Sequence, residues 1–191
     1  MEWKKIAAGR RTIRRFEQRE IPEETLRRIL DAVRRASCAG NLQRLRFAVA
    51  RRRETVKAVF DTTAWAALVR PRRTPVWGES APLCFVAVIA PEGAPSVVLA
   101  DAGAAIQTME YAAFDEGIGC CWFGSFDPRK VREVLELPAG YEVLYVVALG
   151  YPAETPVSED AAAGEPVRYY LDDGDRLHVP KFTVEALTIW R

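Results

Sequence analysis

The sequence predicts an α+β fold, an α/β sandwich in which helices flank a small central mixed sheet. Three observations carry this prediction. Apolar residues recur at helical spacing after Pro22, and again from about Asp101 to Glu116. Short apolar runs of strand length follow or separate them: LCFVAVIA at 83–90, IGCCWF at 118–123 and EVLYVVAL at 142–149. The chain has 191 residues, 49% of them hydrophobic and 28% charged, enough for a single domain over 1–191 with its own core.

In order, residues 2–8 read as a short helix with Trp3, Ile6 and Ala7 on one face and Gly9 as its stop. RRTIRRF, 10–16, is a basic connector. Pro22 opens a helix whose stripe is Leu26, Ile29, Leu30 and Val33 and whose end is expected between Ser37 and Gly40. Leu45, Phe47 and Val49 alternate with Arg46 and Ala48 as a strand, and a helix follows through Val56, Val59, Phe60 and Thr63. Residues 70–82, with three prolines and a glycine, form a loop or lid carrying Trp77. The long helix at 101–116 has an apolar stripe of Ile106, Met109 and Ala113, and its small residues allow another backbone to approach. Asp127-Pro128 is an N-cap followed by a first-turn proline. Residues 153–167, rich in Pro, Ala, Gly and acid, read as a surface excursion, and the tail from 176 is partly apolar.

Composition narrows the function. Cys38, Cys84, Cys120 and Cys121 show no CxxC spacing, and adjacent Cys120 and Cys121 can hardly bridge, so neither a disulfide framework nor a zinc site is expected. The one histidine, His178, rules out a three-histidine metal site within the chain, and any Ser-His-Asp triad must use it. An enzyme this poor in acid–base side chains points to chemistry carried by a cofactor. No apolar run approaches the ~20 residues of a membrane span, and the basic start lacks a secretion signal's apolar stretch, so the cytoplasm is the expected location. Residues 1–73 hold 20 of the 27 Lys and Arg and 8 of the 26 Asp and Glu, a net +12 against −11 in the rest. The two regions either face each other or water, or the N-terminal third builds an anion site for phosphate or nucleic acid.

Three segments carry candidate chemistry. In RRTIRRF, Arg10, Arg11, Arg14 and Arg15 surround Thr12; guanidinium forks and a hydroxyl suit phosphate oxygens, the alternative being a solvated basic turn. In ASCAGNLQRLRF, 36–47, Asn41 and Gln43 can read the amide edge of a heterocycle or simply form a turn. In EGIGCCWFGSFDP, 116–128, Gly124 and Ser125 follow a strand and leave backbone N–H groups open to a ring nitrogen, while the cysteines are packing groups. No GxGxxG or Walker pattern is present, which disfavours classical dinucleotide binding.

In order and spacing these segments resemble the nitroreductase family. Arg10/Arg11-Thr12-Ile13-Arg14-Arg15-Phe16 is similar to its opening Arg-Arg-Ser-x-Arg-x-Phe, and residues 36–47 to its Ala-Pro-Ser-x-x-Asn-x-Gln-Pro-Trp-x-Phe. Residues 101–152 look like its dimer helix, flavin strand and closing strand, and HVPKFTVEAL like its C-terminal Lys-Arg-x-x-x-Glu. The chain departs from the pattern at Ser37, Cys38, Arg44, Leu45 and Phe182.

The resemblance implies a homodimer with FMN at the interface and NAD(P)H as reductant. It implies hydride relay through flavin N5 to a nitroaromatic, quinone or similar small acceptor, with no catalytic side chain, metal, nucleic acid or membrane. Arg10, Arg11 and Thr12 would hold the phosphate and ribityl chain, Arg14 the flavin N1/O2 edge, and Lys181 a second phosphate contact. Ser37, Cys38, Ala39 and Asn41 would come from the partner subunit, and Gly124 and Ser125 would offer N–H groups near N5 and O4. The rival readings are a dehydrogenase or dehalogenase on the same fold and a non-catalytic flavin- or anion-binding protein.

Overall fold

The computed structural model describes residues 2–66, 69 and 74–191. Helices α1 (Trp3–Gly9) and α2 (Glu23–Val33) are followed by a 3₁₀ turn at Ala39–Asn41, strand β1 (Arg46–Ala50) and helix α3 (Arg53–Phe60). Then come β2 (Cys84–Pro91), α4 (Val97–Asp115), β3 (Gly119–Phe123), α5 (Pro128–Val134) and β4 (Tyr141–Gly150). The chain closes with β5 (Val157–Ala161), β6 (Tyr170–Leu171), β7 (Leu177–Phe182) and α6 (Val184–Leu187).

Strands β1, β2, β4 and β3 lie side by side in that order, each pair antiparallel. Parallel pairing enters where Thr12 bridges Cys120 on the outer edge of β3, and where β7 pairs with β5. β6 adds to β7 antiparallel, making a second, three-stranded sheet. Because side chains alternate along a strand, β2 serves both faces of the central sheet. Cys84, Val86 and Val88 pack with Leu26, Ile29 and Val33 of α2 and Ala102, Ile106 and Met109 of α4. Phe85, Ala87 and Ile89 pack with Val56 and Val59 of α3, Val131 of α5, and Phe16 and Trp65. The result is the helix–sheet–helix sandwich that the continuous apolar strands require.

Several boundaries differ from the sequence reading, each for a local reason. α2 ends at Val33, short of Ser37, as Arg34 and Arg35 fold back onto Asp31 at 2.6 and 3.0 Å and the chain turns. α3 stops at Phe60, before Thr63, because the Thr62 and Thr63 hydroxyls donate to the carbonyls of Val59 and Phe60, both at 2.7 Å. α4 starts earlier, at Val97, since VVLA continues its apolar pattern. The surface excursion at 153–167 contains β5, whose VSEDA sequence buries only Ala161 deeply. Of the expected lid at 70–82, residues 70–73 lie outside the described residues. Residues 74–82 hold no helix or strand, and Trp77 packs on α3 against Phe60 and beside Arg53 and Lys57.

The Asp127-Pro128 cap forms as predicted: the Asp127 carboxylate accepts from the N–H groups of Arg129 and Lys130 at 3.0 and 3.1 Å. Asp127→Ala should cost about 1 kcal/mol. That lowers the melting temperature by roughly 2–4 °C for a chain of this size; an unchanged thermal unfolding curve by circular dichroism contradicts the cap's role.

Candidate functional site

The basic connector is pinned by its two apolar residues. Ile13 donates its N–H to the Cys120 carbonyl at 2.8 Å and packs so tightly on Gly119 that a Cβ there would lie 2.6 Å from Ile13 Cγ1. Phe16 is fully buried, donates its N–H to the Ser80 carbonyl at 2.9 Å and lies on Gly150, where a Cβ would come within 2.7 Å of its ring. Ile13 and Phe16 thus fasten the strand-like connector to the sheet, and the arginines between and before them are held at fixed places.

Arg10 and Arg11 enter a cleft of about 340 Å³ whose walls include Ile13, Phe114, Cys120 and Glu154. Their Nε–H groups are buried and, among the described residues, have no hydrogen-bond partner. Arg10 pairs with Glu110 at 3.3 Å. Burial, and then the neighbouring charge of Arg10, lower the pKa of Arg11. Two close guanidiniums with unused donors in a partly apolar cleft suit one multiply charged anion, which would relieve their repulsion. Thr12 follows, bridged to Cys120 on the edge of β3, and does not line this cleft. The donor set therefore fits a phosphate-bearing cofactor.

Arg14 is adjacent in the chain but aims elsewhere. Its backbone N–H donates to the Glu154 carboxylate, and its guanidinium lies 5.1 Å from the centre of the Tyr169 ring. Arg15 pairs with Asp175.

The remaining predicted residues occupy other places. Ser37 and Cys38 border a second cavity of about 380 Å³ between α2, β1 and α4, along with Leu45, Phe47 and Asp101. Ala39 donates its N–H to Asp101 Oδ1 at 2.8 Å, which ties the 3₁₀ turn to α4. Gly40 and Asn41 follow with φ of 57° and 53°, a conformation that glycine and asparagine tolerate best. Asp101 and Glu110 are nine residues apart on one helix, about 13.5 Å of axial rise. Residues 37–41 therefore do not enter their own chain's arginine cleft. Gly124 and Ser125 lie past the end of β3, four residues beyond Cys120, about 13 Å along an extended chain. A Cβ at Gly124 would meet nothing within 4 Å, while the Ser125 carbonyl accepts from the Ala64 N–H at 3.0 Å. Lys181 is exposed on β7 opposite Asp160 and does not line the arginine cleft.

The sequence reading missed two residues that the structure makes prominent, Asp101 and Glu110, each only 5% exposed on an otherwise apolar helix. The signal was available. Position 110 falls four after Ile106 and position 101 four before Ala105, so both lie on the buried stripe.

His178 is no member of a triad. Its two ring nitrogens face carboxylates, Nδ1 with Glu159 at 2.5 Å and Nε2 with Asp172 at 3.0 Å, and Tyr170 stacks on the ring. Hydrogen bonding to Asp172, and then to Glu159, raises its pKa above the ordinary 6.5. A raised folded pKa gives stability that is complete below about pH 6.5 and lost as pH climbs through the higher folded value. Urea midpoints of the protein and of His178→Gln should accordingly converge between pH 6 and 9. A gap that stays constant contradicts the pairing.

A profile described as the nitroreductase family matches residues 7–151. A protein of Methanothermobacter thermautotrophicus, provisionally named NADH dehydrogenase/NAD(P)H nitroreductase, is 28% identical over 91% of this chain and 84% of its own. The NADH dehydrogenase of Thermus thermophilus is 30% identical over 81% of this chain and 88% of its own. Among solved structures, an FMN-dependent nitroreductase from Clostridium difficile superposes with a TM-score of 0.64 at 22% identity, over 78% of this chain and 87% of that one.

Proposed function

The chain belongs to the nitroreductase family, and on that premise we propose that it is an FMN-dependent oxidoreductase, a cytoplasmic homodimer that passes hydride from NAD(P)H to a nitroaromatic, a quinone or a similar small acceptor. The observation that carries this reading is the pair of unpartnered Arg10 and Arg11 donors beside Thr12 on the edge of β3. No helix among the described residues is long and apolar enough to cross a membrane.

Bound FMN supplies a ring that accepts hydride from the nicotinamide and delivers it to the acceptor. The chain's own residues do the holding and tuning. Arg10 and Arg11 bind the phosphate, and the Thr12 hydroxyl adds a bond to the phosphate or ribityl chain. Arg14 would supply the positive charge that favours the reduced anionic flavin. Gly124 and Ser125 offer backbone N–H groups to the ring. Residues 37–41, held on α4 by Asp101 well away from their own arginine cleft, serve the flavin of a second copy. Lys181 is the further phosphate contact that the family pattern implies. Apolar surface at Leu99, Trp122, Ile189 and Trp190, all exposed in the single chain, fits burial by that second copy.

Steady-state turnover tests the reading. FMN-loaded protein should oxidise NADH or NADPH only when an acceptor is present, with parallel double-reciprocal plots because the nicotinamide leaves before the acceptor enters. Flavin-loaded protein that reduces neither a nitroaromatic nor a quinone contradicts it and favours a flavin binder without catalysis.

A further inference from the structure

Helix α4 carries a glutamate where its stripe would place an apolar side chain. Glu110 lies between Ile106 and Ala113, both fully buried, and is itself 5% exposed. Arg10 stands 3.3 Å away and lines the arginine cleft, which Glu110 does not. One guanidinium thus has a buried carboxylate behind it, an open cleft in front, and an Nε–H that among the described residues is unpartnered. We propose that Glu110 is a proton-coupled positioning residue: it holds Arg10 before FMN binds and takes up a proton when the phosphate of FMN arrives. The proposal rests on reading this cleft as the FMN phosphate site.

The argument is one of charge. Before FMN binds, Arg10 balances Glu110. A phosphate monoester brings a charge of about −1.5 to −2 near neutral pH, and Arg10 and Arg11 together only just offset it. Glu110 then shares its cation with a stronger anion while remaining in an apolar interior, where the ionised form is disfavoured. Burial already raises its pKa above the usual carboxylate value, and the charge of Arg10 pulls it back. The other groups around it do not replace that cation. On β3, burial raises the thiol pKa of Cys120 well above its ordinary value and that of Cys121 to about 12, so both stay neutral, and Glu154 adds a negative charge to the cleft. Arg11 is the further cation, and the phosphate engages it too.

The sign follows. A group whose pKa is higher in the complex favours binding at low pH; that contribution is lost as pH rises through the value in the complex, by at most one decade in affinity per pH unit for one proton. The test is the FMN dissociation constant, read by flavin fluorescence from pH 5.5 to 8.5, for the protein and for Glu110→Gln. Ionisation of the FMN phosphate itself is common to both and cancels in their ratio. The glutamine variant should gain on the unmodified protein as pH rises, the ratio of their dissociation constants changing about tenfold per pKa unit by which FMN raises Glu110. A merely structural role changes affinity by one factor at every pH, so a constant ratio overturns the inference and leaves the flavin reading standing. No FMN binding by the unmodified protein at any pH overturns both. Should Glu110→Gln not fold, calorimetry of the unmodified protein at pH 8 in buffers of different ionisation heat should show net proton uptake with FMN and none with riboflavin. Equal heats with FMN overturn the inference.

Discussion

Arg10→Ala is expected to weaken FMN binding by roughly 10- to 150-fold, the equivalent of about 1.5–3 kcal/mol for a charge-assisted hydrogen bond lost. The loss comes from two sides. The cleft keeps only Arg11 as a guanidinium donor, and Glu110 remains buried behind it without the cation now 3.3 Å away. A buried carboxylate stripped of its partner destabilises the fold as well as the site, so the single variant mixes the two effects. Arg10→Ala combined with Glu110→Gln separates them: stability should recover and FMN affinity should not return to that of the unmodified protein. Arg10→Lys should fall between, because it keeps the charge and loses the planar fork. An Arg10→Ala protein that binds FMN within twofold of the unmodified chain contradicts the assignment.

Gly119→Val should have the largest effect on stability. A Cβ at this position meets Ile13 Cγ1 at 2.6 Å and Ile13 Cβ at 2.8 Å, and Ile13 is buried with its N–H bonded to the neighbouring Cys120 carbonyl. The side chain has no room to yield without lifting the connector off β3. Overpacking of this kind costs roughly 1–3 kcal/mol. The expected fall in melting temperature is about 2–4 °C per kcal/mol. Because the connector carries Arg10 and Arg11 to the cleft, FMN retention should fall in the same variant. Gly124→Ala is the matching control: a Cβ there meets nothing within 4 Å, and stability should hold. Equal melting temperatures for Gly119→Val and the unmodified protein contradict the packing described.

Much of this architecture could be read from the chain because it depends on local periodicity. The apolar runs at 83–90, 118–123 and 142–149 became β2, β3 and β4, and the Asp127-Pro128 cap formed where its chemistry requires. What escaped depends on long-range pairing. β5 is polar at three of its five positions and is fixed by parallel pairing with β7, whose residues lie more than 20 positions away. The charge asymmetry had two readings, and both have a structural counterpart. Arg28 with Glu116, Arg15 with Asp175 and Arg10 with Glu110 join the basic and acidic parts, while Arg11 is left for the cleft. The sequence showed 10–16 only as a basic connector; its anchoring through Ile13 and Phe16 depends on contacts with Gly119 and Gly150 far along the chain. Glu110 was passed over because the stripe was drawn from apolar residues alone, although helical spacing places it on that stripe. Residues 37–41 and Lys181 could not be placed from sequence, because their distance from Arg10 is set by α4 and the C-terminal sheet.

The measurement that reaches the central claim most directly is the visible absorption spectrum of the purified protein, before and after denaturation, with a second sample given FMN. Bands near about 370 and 450 nm that persist as free FMN after denaturation are the predicted result, characteristic of an oxidised flavin. A colourless protein that also leaves added FMN unbound contradicts the account, and would mean that Arg10, Arg11 and Thr12 hold some other anion.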